Sequence, residues 1–298
     1  MEAVALEQTL RDHIDDLAAW RVYGDRLVEQ GDARGTLIQL EQRRARTRPA
    51  DREPLAREIA ALVDEHQQSW DAALPPGVTV VARRYGFATT VAVEWSDDAP
   101  GLIEQALRER FVTALRITPP AEADEDDCDD WDYDEEEDEL TPPPIEAGAL
   151  ASLDLSRLVA LDLSYLRIGD PGAKALAAAT GTGRIRALDL RYCGVGDTGL
   201  AALAASPGLG ELRRLHLQSN GLTAEGVRSL RRFVHLTELD LRYNPIGAEG
   251  ADALLAAPFI GSLTRLLLYR ADVSDAGAQK LALAPELPSV LRSFWRSV

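Results

Sequence analysis

Five stretches of this chain can be laid over one another: "LVALDLSYLRIGDPGAKAL" from Leu158, "IRALDLRYCGVGDTGLAAL" from Ile185, "LRRLHLQSNGLTAEGVRSL" from Leu212, "LTELDLRYNPIGAEGADAL" from Leu236 and "LTRLLLYRADVSDAGAQKL" from Leu263. Their equivalent leucines, Leu161, Leu188, Leu215, Leu239 and Leu266, are spaced 27, 27, 24 and 27 residues apart. A period in this range means one supersecondary unit used again and again. Within a unit, Leu161 and Leu163 alternate as on a short strand, and Ala173, Leu176 and Ala177 share one helical face. One unit alone buries neither face, so neighbours must stack into a parallel strand ladder with a continuous core.

Each unit reads LxxLxLxxN/C, then an aliphatic residue, a glycine and an Ala/Leu-rich amphipathic stretch. This resembles the leucine-rich repeat family, in particular its helix-containing cytoplasmic type. The resemblance implies an α/β solenoid with strands on a concave side and helices on a convex side. The ninth position is Leu166, Cys193, Asn220, Asn244 and Ala271; Asn or Cys there is expected to hydrogen-bond loop carbonyls of neighbouring turns. In "PELPSVLRSFWRSV", Leu287, Leu291 and Phe294 stand at helical spacing with Val290 and Trp295 alongside, which predicts a C-terminal capping helix.

The first part of the chain reads differently. Leu17, Trp20, Tyr23 or Gly24, and Leu27 share a helical face, Gly31 ends that helix, and Asp32 caps the next, with Leu37, Ile38 and Leu40 continuing the apolar side. Tyr23, Asp25, Leu27, Glu29, Gly31, Asp32, Arg34 and Ile38 resemble the short helical companion domain that precedes leucine-rich repeats in some bacterial proteins. Arg26 stands where that pattern carries tryptophan, and no activity is attached to the domain as a class. A third helix is expected over 52–70. "VTVVARRYGFATTVAVEW" and "RFVTALRIT" read as strands, the second as a degenerate repeat through Phe111, Leu115 and Ile117, so that Gly86-Phe87 onward begins the array. The expected organisation is a helical companion domain at 1–75, a strand-rich cap with degenerate repeats at 76–118, an insertion at 119–145 and repeats with their capping helix at 146–298.

The insertion concentrates the charge. Fourteen carboxylates fall in the eighteen residues from Glu122 to Glu139; without them the chain's −17 becomes 35 acids against 32 bases, or −3. Flanking prolines favour extended chain and like charges resist compaction, so the segment is expected to be a disordered acidic loop. If it docks instead, on the arginines at 43, 44, 46 and 48 or on the repeat surface, Trp131 and Tyr133 are its apolar anchors. A chain this negative is expected to bind neither nucleic acid nor membrane. Acids at once after Met1, with no basic start and no long apolar run, point to the cytoplasm.

Catalytic readings are poor. Cys128 and Cys193 make no disulfide framework, and acids around Cys128 work against a thiolate. The Cys128-Asp129-Asp130 run formally resembles the Cys-x-Asp of bacterial leucine-rich-repeat ubiquitin ligases, whose large catalytic domain has no room here. His13, His66, His216 and His235 lack ligand or triad spacing, and the acidic run has no EF-hand register. "GVGDTG", 194–199, matches the dinucleotide fingerprint, but its last glycine recurs as Gly172, Gly226, Gly250 and Gly277 and belongs to the repeat. No enzyme, metal or cofactor is expected. What remains is the concave face, where Tyr165, Arg191, Tyr192, His216, Gln218, Arg242, Tyr243, Tyr269 and Arg270 are the candidate partner contacts, because Tyr and Arg anchor interfaces. The competing account is that Asp and Arg along the ladder satisfy one another. The expected function is a noncatalytic scaffold for a protein partner. Two alternatives stay open: a regulator resembling leucine-rich-repeat GTPase-activating proteins, or a structural module whose helical domain does the recognising.

Overall fold

The computed structural model describes residues 3–120 and 147–297. Contacts divide the chain into two units, Met1–Ala92 with Leu102–Thr113, and Val93–Gly101 with Ala114–Val298. The acidic run with Cys128, Trp131 and Tyr133 lies outside the described residues.

The first unit holds helices α1 (Ala3–Asp12), α2 (Leu17–Glu29), α3 (Ala33–Arg46) and α4 (Glu53–Asp71), then strand β1 (Val78–Arg84) and most of β2 (Phe87–Glu94). Asp16 caps α2 by accepting from the amides of Ala18 and Ala19 at 2.9 Å each. Asp32 caps α3 through the Arg34 amide at 3.0 Å and pairs with the Arg34 guanidinium at 2.7 Å, so Gly31, Asp32 and Arg34 form a helix joint with an internal ion pair. Trp20, Tyr23, Gly24 and Leu27 bury the expected α2 face, whereas Leu17, the first residue of the helix, is exposed. Trp20 is the centre of this core. Its ring centroid lies 5.9 Å from that of Tyr23, 5.0 Å from Tyr85, 6.0 Å from Phe87 and 5.0 Å from Phe111, and its indole N–H donates to the Ile14 carbonyl at 2.6 Å. Tyr85 (φ 50°) and Gly86 (φ 80°) both take positive φ, the conformation of a two-residue hairpin turn, which aims Tyr85 and Phe87 into the same core.

In the second unit six parallel strands follow one another in chain order: β3 (Ala114–Thr118), β4 (Ala160–Asp162), β5 (Ala187–Asp189), β6 (Arg214–His216), β7 (Glu238–Asp240) and β8 (Arg265–Leu267). The register aligns Leu115, Leu161, Leu188, Leu215, Leu239 and Leu266, all buried, in one row. A shift by one residue would turn that entire row outward, so the leucine period fixes the pairing. The chain also carries a short helix α5 (Ala99–Ala106), divided between the two units, and α6 (Ala147–Ser152). A helix follows each repeat strand: α7 (Gly169–Ala178), α8 (Asp197–Ala205), α9 (Ala224–Ser229), α10 (Gly247–Leu255) and α11 (Arg270–Leu283), each packed on the next. The recurring glycine sets how closely these helices fold back. A Cβ at Gly172 would come within 2.5 Å of Ile168 Cβ, and one at Gly250 within 2.5 Å of Ile246 Cβ.

The last helix, α12 (Ser289–Ser297), corrects one expectation. Leu287 and Trp295 are buried at 1% and 4% exposure, while Val290 and Phe294 are 78% and 53% exposed. The inward stripe is therefore Leu287, Leu291 and Trp295, at i, i+4 and i+8; Phe294, one residue short of that row, points away.

Candidate partner-binding face

Residues seven to nine of each repeat carry the chain out of its strand. At the eighth position Tyr165, Tyr192, Ser219 and Tyr243 adopt φ of 68°, 56°, 56° and 57°. The left-handed region costs a side-chain-bearing residue about 1–2 kcal/mol. Geometry explains why it recurs: there the amide of Tyr165 reaches the Arg191 carbonyl at 2.8 Å, that of Tyr192 the Gln218 carbonyl at 3.0 Å, and that of Ser219 the Arg242 carbonyl at 2.9 Å. The ninth residue locks the same turn from inside. Asn220 receives the amides of Cys193 and Val195 at 3.2 and 2.9 Å and donates to the Leu190 carbonyl at 2.8 Å. Cys193 donates its thiol to the Leu163 carbonyl at 3.0 Å. Burial pushes the Cys193 thiol pKa up to about 12, and a thiol so held is no nucleophile.

Tyrosine at position eight is thus turned out of the wall. Tyr165 and Tyr243 are 52% and 55% exposed, and Tyr269, at position seven with φ −92°, is 42% exposed. The four rings form two pairs: Tyr165 and Tyr192 stack at 4.8 Å with 8° between planes, and Tyr243 meets Tyr269 edge-on at 5.1 Å. Ser219, in the intervening repeat, carries no ring.

The charged residues behave otherwise. Arg116 pairs with Asp162 at 2.8 Å, Arg191 with Asp189 at 2.8 Å, Arg265 with Glu238 at 3.1 Å and Arg270 with Asp275 at 2.8 Å. Arg242 grips Asp240, which is 2% exposed, with Nε at 2.9 Å and Nη2 at 2.6 Å, and Nη2 also reaches Gln218 Oε1 at 3.1 Å. Gln218 in turn donates to the Tyr192 hydroxyl at 2.7 Å. Mutual satisfaction along the ladder accounts for Arg191 and Arg242. Tyr165, Tyr243 and Tyr269 are the rings it leaves outward.

His216 sits between two acids, with Nδ1 3.3 Å from Asp189 Oδ2 and Nε2 3.2 Å from Glu238 Oε1. Both ring nitrogens face acceptors, an arrangement that needs both protons. The Asp189 bond, opposed by burial and reinforced by Glu238, raises the imidazole pKa above its ordinary value. Burial would raise Asp189, but the hydrogen bonds from His216 and Arg191 outweigh it and hold that carboxyl low. The raised folded pKa of His216 means that its contribution to stability is complete below the unfolded imidazole value, about 6.5, and fades as pH climbs through the folded value. An imidazole titration followed by NMR should give a His216 midpoint above that of an unstructured histidine; a midpoint at or below it would refute the bridged arrangement.

The dinucleotide-like run is explained by a carboxylate of the preceding repeat. Asp170 Oδ1 accepts from the amides of Gly196 at 2.8 Å and Gly199 at 2.9 Å, and its Oδ2 bonds the Thr198 hydroxyl. The amides that would cradle a phosphate are already engaged as helix-start contacts. Asp197 repeats the device one turn later, accepting from the Thr223 amide at 3.0 Å. Among the described residues, no cluster of three or more His, Cys, Asp or Glu side chains is placed to hold a metal ion.

Residues 154–177, 185–204, 212–230 and 234–255 match the family model of the leucine-rich repeat. These four segments are leucine-rich repeats. No curated protein matches the chain. Leucine-rich repeats are in general modules of protein–protein interaction, and the match covers the repeats that supply Tyr165, Tyr192 and Tyr243. No described helix is long and apolar enough to cross a membrane.

Proposed function

We propose that this leucine-rich repeat protein is a noncatalytic, cytoplasmic scaffold that holds a protein partner on the tyrosine-bearing edge of its strand face. We further propose that its first unit is a repeat-companion domain of the bacterial kind. The observation that carries the binding reading is the contrast on one surface: arginines and acids are paired with each other, while Tyr165 and Tyr243, held at positive φ, and Tyr269 present their rings outward. Tyrosine offers a large, stiff contact area with a polar tip, and each anchor of this kind is worth about 2 kcal/mol or more in an interface. The paired arginines frame the contact and fix its register.

The test replaces Tyr165 and Tyr243 by Asn, which tolerates the left-handed region, and Tyr269 by Ala. Proteins crosslinked to the immobilised full chain are identified and their affinities measured. The triple variant should keep its circular dichroism spectrum and bind its partner at least a hundredfold more weakly. Undiminished binding would rule out this face.

A further inference from the structure

The first unit contains a cleft of about 730 Å³ formed by the last turns of α3, the start of α4 and the end of β1. Its charged lining is Arg44, Arg46, Arg52 and Arg84 against Glu41 and Glu53, so 4 − 2 leaves two positive charges in a chain whose net charge is −17. Arg44, Arg46 and Arg52 make no ion pair with a described carboxylate, whereas Arg84 lies over the Tyr85 ring at 4.7 Å and near one acid. No carboxylate among the described residues is within ion-pair distance of Arg44 or Arg46. Arg52 donates Nε to the Thr47 carbonyl at 2.8 Å, an interaction that leaves its charge unanswered. Arg84 stands 3.7 Å from the exposed Asp15, and its Nε is buried without a hydrogen-bond partner. Of the two acids, Glu53 already faces Arg57 at 3.7 Å. Burial raises the Glu41 pKa against the pull of Arg44 and Arg84.

A structural role explains part of this. Arg43, Arg44 and Arg46 complete the C-terminal turn of α3, where cations complement the helix dipole. That role does not account for Arg52 and Arg84, which reach the same cleft from a different helix and from a strand. The walls between the charges are apolar at Leu17 and Pro49. Cationic heads distributed over three elements, with hydrocarbon between them, suit several linked carboxylates with an apolar side chain among them better than one compact ion.

We propose that this cleft binds a carboxylate-rich peptide segment of a second protein, its acids on Arg44, Arg46 and Arg52 and an apolar residue against Leu17 and Pro49. Charge complementarity selects that occupant: the cleft gathers four guanidiniums against two carboxylates on a chain of net charge −17, and an acidic segment is the partner they discriminate. The site shares no residue with the tyrosine face, so either reading can fail alone.

The probe is a fluorescent synthetic peptide copying residues 122–139, titrated by anisotropy into the full chain and into a chain lacking 122–139. The expected result is saturable binding to both, equal within about threefold, weakened at least tenfold by Arg44→Glu with Arg46→Glu, and weakened again by raised salt as screening requires. Arg46 is exposed and Arg44 half-buried on α3, and thermal melts confirm that the variant folds. Unchanged binding in the double variant overturns the site. Displacement of the peptide by inorganic phosphate at equal anion concentration overturns the peptide as occupant. Binding that appears only after deletion of 122–139 overturns the second protein as source and assigns the cleft to the chain's own acidic segment.

Discussion

Asn244→Ala is expected to destabilise the repeat array by about 3–5 kcal/mol, measured as the loss of unfolding free energy in urea followed by far-ultraviolet circular dichroism. The side chain is fully buried, and every polar atom of its carboxamide is used. Oδ1 accepts from the amides of Asn220 at 3.1 Å and Leu222 at 3.0 Å; Nδ2 donates to the carbonyls of Leu217 at 2.8 Å, Leu241 at 3.0 Å and Arg242 at 3.2 Å. Alanine removes the partner and leaves these backbone groups buried, at about 1–3 kcal/mol for each that finds no substitute. Partial relaxation and water entry keep the total below the simple sum. Asn244→Asp should also destabilise, because it keeps the acceptor but replaces the donor by a buried charge. A loss under about 1 kcal/mol for alanine would show that the turn closes without the amide, contrary to the accounting that buried backbone groups require.

The same residue shows how far sequence reasoning reaches. The ninth position identifies Asn220, Asn244 and Cys193 as turn locks, because the residue type and the period determine each other. It does not show that the Asn220 amide is itself bonded to Asn244 Oδ1, which joins the locks into a series from repeat to repeat. The tyrosines are legible as side chains on the strand face, but their positive φ is not: that conformation follows from carbonyls of the next repeat, and the same template places Ser219 there without comment. The template glycine is legible as a repeat feature, while its cause, contact with the aliphatic residue four positions earlier, emerges only when the helix folds back.

Elsewhere local pattern misleads. α1 carries Leu6 and Leu10 at i, i+4, a stripe too short to stand out, and α5 opens Ala-Pro-Gly, a composition that reads as a turn. The C-terminal stripe is ambiguous because Phe294 and Trp295 are adjacent and both are three or four residues past Leu291. The arginine cleft is visible in the sequence only as the basic run at 43–48; Arg52 and Arg84 join it through tertiary packing, for which the sequence has no signal.

Trp20 is the sharpest case, since its partners Tyr85, Phe87 and Phe111 are some 65 to 91 residues away in the chain. Trp20→Ala is expected to cost about 3–5 kcal/mol, the usual range for emptying a large aromatic site. The residue has no exposed surface, and four rings surround it. Those rings belong to a helix, a hairpin and the segment after α5, so the cavity cannot be closed by moving one element. Trp20→Phe separates packing from hydrogen bonding: it keeps most aromatic contact but leaves the Ile14 carbonyl without the indole donor, for an expected loss of about 1–3 kcal/mol. Circular dichroism is the appropriate probe, because both substitutions remove a fluorescent reporter. If the phenylalanine variant is as damaged as the alanine variant, the Ile14 bond rather than ring packing dominates this core; if both stay within about 1 kcal/mol of the parent, Trp20 does not organise the first unit.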